Sequence, residues 1–169
     1  YKASWLSPPV SNILNEFKVE VLLPMEDISL PLRGTLDKIE VLKSGTVNVV
    51  DYKTGKPKSR NDIEGKTKTS EGNYKRQLVF YQLLLNLYNN TQYTMVSGEI
   101  DFIEPDNRGR YRKELFEIGD NEVKELIKLI EKTTGEILSL SFWDTRCDDT
   151  ACSYCALREM VEDKKIKAF

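Results

Sequence analysis

Val47-Asn48-Val49-Val50-Asp51-Tyr52-Lys53-Thr54-Gly55 decides how this chain is read. Three β-branched valines lead into an acid, which predicts a strand. A strand with one wet face alternates apolar and polar residues. This one is nearly continuous in apolar character up to Asp51, so both of its faces are predicted to be covered. A carboxylate closing such a run is costly unless a cation or hydrogen bonds receive it. Period-two geometry puts Asp51 and Lys53 on one face and Tyr52 on the other. An acid and a lysine two apart also occur as a solvated surface pair of little energetic weight. The surrounding sequence has to separate the two readings.

Upstream, Phe17, Val19 and Val21 alternate with Lys18 and Glu20, giving a strand over 16–23 and a polar connection over 24–28. A second strand follows over 30–41, broken or bulged near Gly34. Ser44-Gly45 is a turn signal, so the third strand folds back on the second and the three make an antiparallel meander. Asp37, in Gly34-Thr35-Leu36-Asp37, then lies one hairpin before Asp51. If the hairpin sets these carboxylates side by side, they suit Mg²⁺ or Mn²⁺, hard cations that take oxygen ligands, and the Tyr52 backbone carbonyl can add another. A cation so held acidifies water and neutralises charge on a phosphoryl oxygen, while the Lys53 ammonium orients the attacking water or stabilises developing charge. Phosphodiester hydrolysis is the chemistry this combination suits.

Residues 54–72 turn to Gly, Lys, Ser and Asn without apolar periodicity and read as a long mobile loop. Residues 73–87 then carry Leu78, Tyr81, Leu84 and Leu85 at helical spacing, with Asn73 as cap. Gln77 and Tyr81, four apart, share one face, either as a half-buried pair or in contact with Lys53 or a substrate phosphate. Lys75 and Arg76 on this helix, with Lys56 and Lys58 in the loop, can track a nucleic-acid backbone or stand as solvated charges. Runs over 94–104 and 110–117 read as strands joined through Pro105-Asp106-Asn107-Arg108-Gly109. A last long helix, capped by Asp120, places Val123, Leu126, Ile127, Ile130 and Ile137 on one stripe. From Phe142 a cysteine-bearing clasp leads to a short charged helix over 155–165. The order predicts an α/β domain with a mixed sheet, helices packed on it, and one parallel crossover.

The 169 residues fit one domain, and 40% hydrophobic content supplies a core. A net charge of -2 gives no global basic field, so a DNA-binding surface has to be local. No histidine is present, which excludes His-dependent nucleophilic triads and His-ligated metals. Three cysteines, Cys147, Cys152 and Cys155, do not make a disulfide framework and point to a reducing, cytoplasmic setting. They are one short of the four ligands that zinc or a four-iron cluster takes, so an iron–sulfur cluster is not expected, and buried or half-buried thiols are the favoured reading. Asp148 or Asp149 is the remote alternative for a missing ligand. No apolar run is long enough for a membrane span. The start at Tyr1, without Met or leader, reads as a fragment of a longer protein.

Taken together, Gly34-x-x-Asp37, Asp51-Tyr52-Lys53-Thr54-Gly55 and Gln77-x-x-x-Tyr81, in this order and spacing, resemble the RecB-like branch of the PD-(D/E)XK nuclease superfamily. The similarity runs from about Glu16 to Phe142 and is nearest to the C-terminal nuclease domains of UvrD-like and AddAB-type helicases. The resemblance implies a restriction-endonuclease-like mixed β-sheet flanked by helices, filling 1–169 with the clasp at 142–169. It implies metal ligation by Asp37 and Asp51, catalysis by Lys53, and assistance from Gln77 and Tyr81. Glu20 matches an acid often found on the preceding strand. By the same resemblance the partners are DNA and a helicase domain in the same or an associated chain, acting in repair or recombination. Many relatives carry a histidine before the first acid and some carry a fourth cysteine. This chain has neither, and a non-catalytic DNA-binding or scaffolding domain is the alternative those departures favour.

Overall fold

The apolar alternation of the N-terminal half builds a five-stranded sheet. The computed structural model describes residues 10–26, 28–42, 45–89, 92–141, 145–149 and 151–166. Strands β1 (Asn12–Pro24), β2 (Ser29–Val41) and β3 (Thr46–Lys53) form the expected antiparallel meander. The chain then crosses over through α1 (Arg60–Ile63) and α2 (Asn73–Leu87) to β4 (Thr94–Phe102), which lies parallel to β3. Strand β5 (Arg112–Phe116) closes the far edge antiparallel, and α3 (Asp120–Leu138) and α4 (Ser153–Ile166) follow. The sheet order β1-β2-β3-β4-β5 makes β3 a central strand, as its continuous apolar run requires. The result is the mixed α/β sheet expected of a restriction-endonuclease-like fold. No helix among the described residues is long and apolar enough to cross a membrane.

The core lies between α2 and one face of the sheet. Val47 and Val49 of β3, Ile39 of β2 and Ile100 and Phe102 of β4 are fully buried, as are Leu78, Leu84 and Leu85 of α2. Close approach of helix to sheet explains Gly34. A Cβ there would stand 2.6 Å from Leu84 Cδ1, so only glycine lets α2 pass over β2 at this point. Gly34 pairs regularly with Val19, and the expected break near it falls instead at Asp37. Asp37 is missing from both ladders of β2: pairing with β1 skips from Leu36 to Lys38, and pairing with β3 ends at Lys38↔Val50.

Three other expectations are corrected. Segment 54–72 is not a featureless loop, because Ser59 and Asp62 form a reciprocal capping box around α1 and Ile63 is fully buried. Asn73 does not cap α2; Gly72, with φ +69°, occupies the cap and turns the chain through a left-handed conformation that other residues resist. Asp120 is the first residue of α3 rather than its cap, and the Glu122 carboxylate accepts the Gly119 N–H at 3.0 Å. The expected turn residue Ser44 and the start of the clasp at Phe142 lie outside the described residues. The chain divides into two compact units, Tyr1–Leu129 and Ile130–Phe169; the first carries the sheet with α1 and α2, the second carries the end of α3 and α4.

Candidate active site

Asp51 is 1% exposed and faces α2 from the central strand. Its Oδ1 accepts a hydrogen bond from the Tyr81 hydroxyl at 3.0 Å. Lys53, two residues on and on the same face, brings its ammonium 2.5 Å from Oδ2. The same ammonium donates to Gln77 Oε1 at 2.6 Å, and Gln77 Nε2 donates to the Tyr81 oxygen at 2.6 Å. The four side chains close a ring. Its direction is fixed by chemistry: an ammonium only donates, so Gln77 turns its oxygen to Lys53 and its NH₂ to Tyr81, leaving the Tyr81 proton for Asp51. Helical spacing makes this possible, because Gln77 and Tyr81 sit one turn apart over β3.

Asp37 joins from the other side. With the β2–β3 ladder ended, its Oδ2 accepts the Tyr52 N–H at 2.9 Å in place of a backbone carbonyl. The N–H and C=O of one strand residue point to the same edge, so the Tyr52 carbonyl is directed toward Asp37 as well. Burial pushes the Asp51 carboxyl above its ordinary pKa against the pull of Lys53 and Tyr81, and the nearby Asp37 charge adds to the push. Burial and the Asp51 charge hold the Tyr81 phenol well above its usual range, so it remains a donor.

One atom in this arrangement is under-served. Asp51 Oδ2 is buried with no hydrogen bond of regular alignment, and its one close polar neighbour is the Lys53 ammonium at 2.5 Å. An anionic oxygen held only by this ammonium, beside a second carboxylate and a carbonyl, belongs to a donor set of oxygens, the kind a hard divalent cation takes. Asp37, Asp51 and the Tyr52 carbonyl therefore fit such an ion.

Other sequence candidates are placed elsewhere or held by other partners. Glu20 alternates with Val19 and Val21, which are buried toward α2, so it points to the opposite face from Asp51; it is exposed and pairs with Arg33 at 3.3 Å. The β1 residue across from Asp37 is Glu16, which has φ +48°, between the pairs Asn15↔Lys38 and Phe17↔Leu36. Lys75 is tied to Glu122 at 2.6 Å, and Arg76 donates to Asn73 Oδ1 and the Glu71 carbonyl. Lys56 and Lys58 are exposed; Lys56 donates to Asn107 at 3.2 Å, and Lys58 lies 4.6 Å from the ring centre of Tyr74.

Two features escaped the sequence reading. Tyr74 lies one turn before Gln77 on α2, and its ring centre is 4.8 Å from the Lys53 ammonium. Spacing of three on the helix was the available signal. On the other face of the sheet, Lys38, Glu40, Asn48 and Ser97 form a hydrogen-bonded row, and Lys113 bridges Glu99 and Asp101 at 2.9 and 2.7 Å. In the second unit the three thiol sulfurs lie within 4.8 Å of one another, with Cys147 and Cys155 3.5 Å apart. Cys147 is exposed, the other two half-buried. The Cys155 N–H, the Cys147 thiol and the Tyr154 N–H bring the Cys152 thiol down to about 7.

Comparison with known proteins bears on the family and the fold. The family model of the PD-(D/E)XK nuclease superfamily matches residues 4–160. Among solved structures, a protein from Eubacterium rectale named as a candidate exonuclease is similar over 85% of this chain and 51% of its own, at 16% identity and a TM-score of 0.50. A protein designated SSO0001 is similar over 72% of this chain and 49% of its own, at 16% identity and a TM-score of 0.47. The chain thus spans about half the length of these structures. No curated protein matches it.

Proposed function

Since this chain belongs to the PD-(D/E)XK nuclease superfamily, we propose that it is a divalent-metal-dependent deoxyribonuclease of the RecB-like branch, using Mg²⁺ or Mn²⁺ and working beside a helicase in DNA repair or recombination. The observation that carries this reading is the buried Asp51 carboxylate, closed into a ring with Lys53, Gln77 and Tyr81 and lying near Asp37, with Oδ2 served only by the Lys53 ammonium. A divalent cation bound by Asp37, Asp51 and the Tyr52 carbonyl would supply Lewis acidity toward water and a phosphoryl oxygen.

The protein's own groups do the remaining work. Tyr81 keeps Asp51 charged and oriented through its donated hydrogen bond. Gln77 holds the Lys53 ammonium by its own hydrogen bond, so the ammonium stays at the site when Oδ2 is engaged elsewhere. Lys53 then presents its charge to the scissile phosphate and to the attacking water. Lys75 and Arg76 are occupied by protein partners, which leaves the exposed Lys56 and Lys58 to approach the DNA backbone.

The test is cleavage of single- and double-stranded DNA with Mg²⁺ or Mn²⁺ by the wild type, Asp51→Ala and Lys53→Ala, with Mn²⁺ calorimetry on Asp37→Asn in parallel. Cleavage lost in both variants and weakened Mn²⁺ binding in Asp37→Asn are expected. Equal cleavage by all three proteins sinks the assignment. DNA binding without cleavage by the wild type, and without Mn²⁺ binding at millimolar metal, replaces it with a scaffold that keeps the nuclease fold.

A further inference from the structure

Lys53 reaches three groups: the Asp51 carboxylate, the Gln77 amide oxygen and the face of Tyr74. Two of these are neutral. If Asp51 is taken up by a divalent cation, Gln77 and Tyr74 still hold the ammonium, and neither cancels its charge. An acid in the place of Tyr74 would hold Lys53 more strongly and would neutralise the charge that a phosphate needs. An aromatic ring attracts the cation through its quadrupole and leaves the full positive charge in place.

The same ring receives a second ammonium. Lys58, on the segment between β3 and α1, stands 4.6 Å from the Tyr74 centroid, close to the 4.8 Å of Lys53. Tyr74 itself packs against the ring of Phe102, tilted at 52° with the centroids 6.2 Å apart, and Phe102 is fully buried. Beside the ring a recess of about 210 Å³ is lined by Lys58, Tyr74, Asn73, Ser70 and Thr69 and by two acids, Asp62 and Glu71. Both acids are engaged by other groups, Asp62 by Ser59 and Thr67 and Glu71 by the Asn73 amide. Two ammonium groups brought to one ring put a second positive charge close to the one that Asp51 holds.

We propose that Tyr74 is a positioning residue that seats Lys53 and Lys58 together as a pair of phosphate-contacting ammonium groups for a DNA single strand lying across the site. The proposal rests on the nuclease reading for the role of Lys53, and its test does not depend on cleavage. Tyr74→Phe keeps the ring; Tyr74→Leu removes it at similar volume; Lys58→Gln removes one charge. In the metal-free protein, the ε-methylene protons of Lys53 and Lys58 should show upfield ring-current shifts by NMR, kept in Tyr74→Phe and lost in Tyr74→Leu. Binding of a short oligothymidylate should lose about 0.7 from the slope of log K against log salt in Tyr74→Leu and in Lys58→Gln, with Tyr74→Phe matching the wild type. A slope in Tyr74→Leu equal to that of the wild type, or one also reduced in Tyr74→Phe, overturns the proposal. If the wild type binds with these slopes and cleaves nothing, the seat stands and the nuclease reading falls.

Discussion

Replacing Tyr81 with phenylalanine removes one oxygen from a site in which that oxygen has two partners. In the wild type it donates to Asp51 Oδ1 at 3.0 Å and accepts from Gln77 Nε2 at 2.6 Å. Tyr81→Phe keeps the ring packing of a residue that is 4% exposed and leaves both partners unserved. A hydrogen bond to a charged group contributes about 1.5–3 kcal/mol, and that range is the expected loss at neutral pH. For a chain of this size it corresponds to a fall in Tm of about 3–12 °C. The loss has a pH signature. The Tyr81 hydroxyl favours the ionised carboxylate, and burial already holds the Asp51 carboxyl above its ordinary pKa. As the pH falls through that raised value, the folded protein takes up the proton before the unfolded chain does, and the advantage of wild type over Tyr81→Phe shrinks. Urea titrations from pH 8 down to the acid limit of folding, on wild type, Tyr81→Phe, Asp51→Asn and the double variant, measure both effects. A coupling energy below about 0.5 kcal/mol, or a difference that does not change with pH, refutes the account of the ring.

Gly34→Ala is expected to destabilise by about 1–3 kcal/mol through overpacking, since the added carbon meets Leu84 Cδ1 at 2.6 Å, and thermal melts check it. Pairing it with Leu84→Ala should recover part of that loss by making room. Ile63→Ala, which empties a fully buried position in the four-residue α1, should cost about 2–5 kcal/mol, where a featureless loop would cost nearly nothing. Alkylation by iodoacetamide, followed residue by residue by mass spectrometry, should reach half its limiting rate at Cys152 near pH 7 and slow below it as thiolate is lost. Cys147, whose thiol is pushed up by its hydrogen bonds to Cys152 and Cys155, should need a higher pH.

The parts of this fold that were legible in the sequence are those written in local periodicity. Leu78, Tyr81 and Leu85 mark the buried side of α2 at helical spacing, and the helix bounds follow from them. The β3 run reads as a central strand because its neighbours on both sides cover it. Local pattern could not show that Gly34 makes room for Leu84, because that requirement comes from a helix far along the chain. Nor could it show α1, where a single apolar residue, Ile63, carries the burial and a capping box carries the start. At the site, the order of Asp37, Asp51, Lys53, Gln77 and Tyr81 gave the members but not the closed ring, which depends on the height of α2 over β3. Glu20 entered through the resemblance, as an acid on the strand before Asp37, whereas the β1 residue across from Asp37 is Glu16, where a positive φ in a non-glycine residue has no sequence signal.

An orphaned buried carboxylate oxygen does not by itself mark a metal site, because this sheet has two. Asp101 Oδ1, like Asp51 Oδ2, is buried without a regular hydrogen bond, on the neighbouring strand and the opposite face. What separates them is the cation each already has. Lys113 bridges Glu99 and Asp101 at 2.9 and 2.7 Å, and those bonds hold its ammonium above its ordinary pKa even though burial works against the charge. The slot between the two acids on that face is therefore filled by a permanent charge. On the α2 face, Lys53 reaches Asp51 but not Asp37, whose partner among the described residues is the Tyr52 N–H. The position between those two acids has no ammonium in it, and Asp37 raises the cost of keeping Asp51 ionised. Added Mn²⁺ should thus choose one face. Paramagnetic broadening should erase the side-chain amide signals of Gln77, beside Asp51, at metal concentrations that leave those of Asn48, on the Lys38–Glu40 row, intact. Equal broadening of the two amides would mean that unpaired oxygens alone attract the ion and that the Lys53 ring has no part in selecting it.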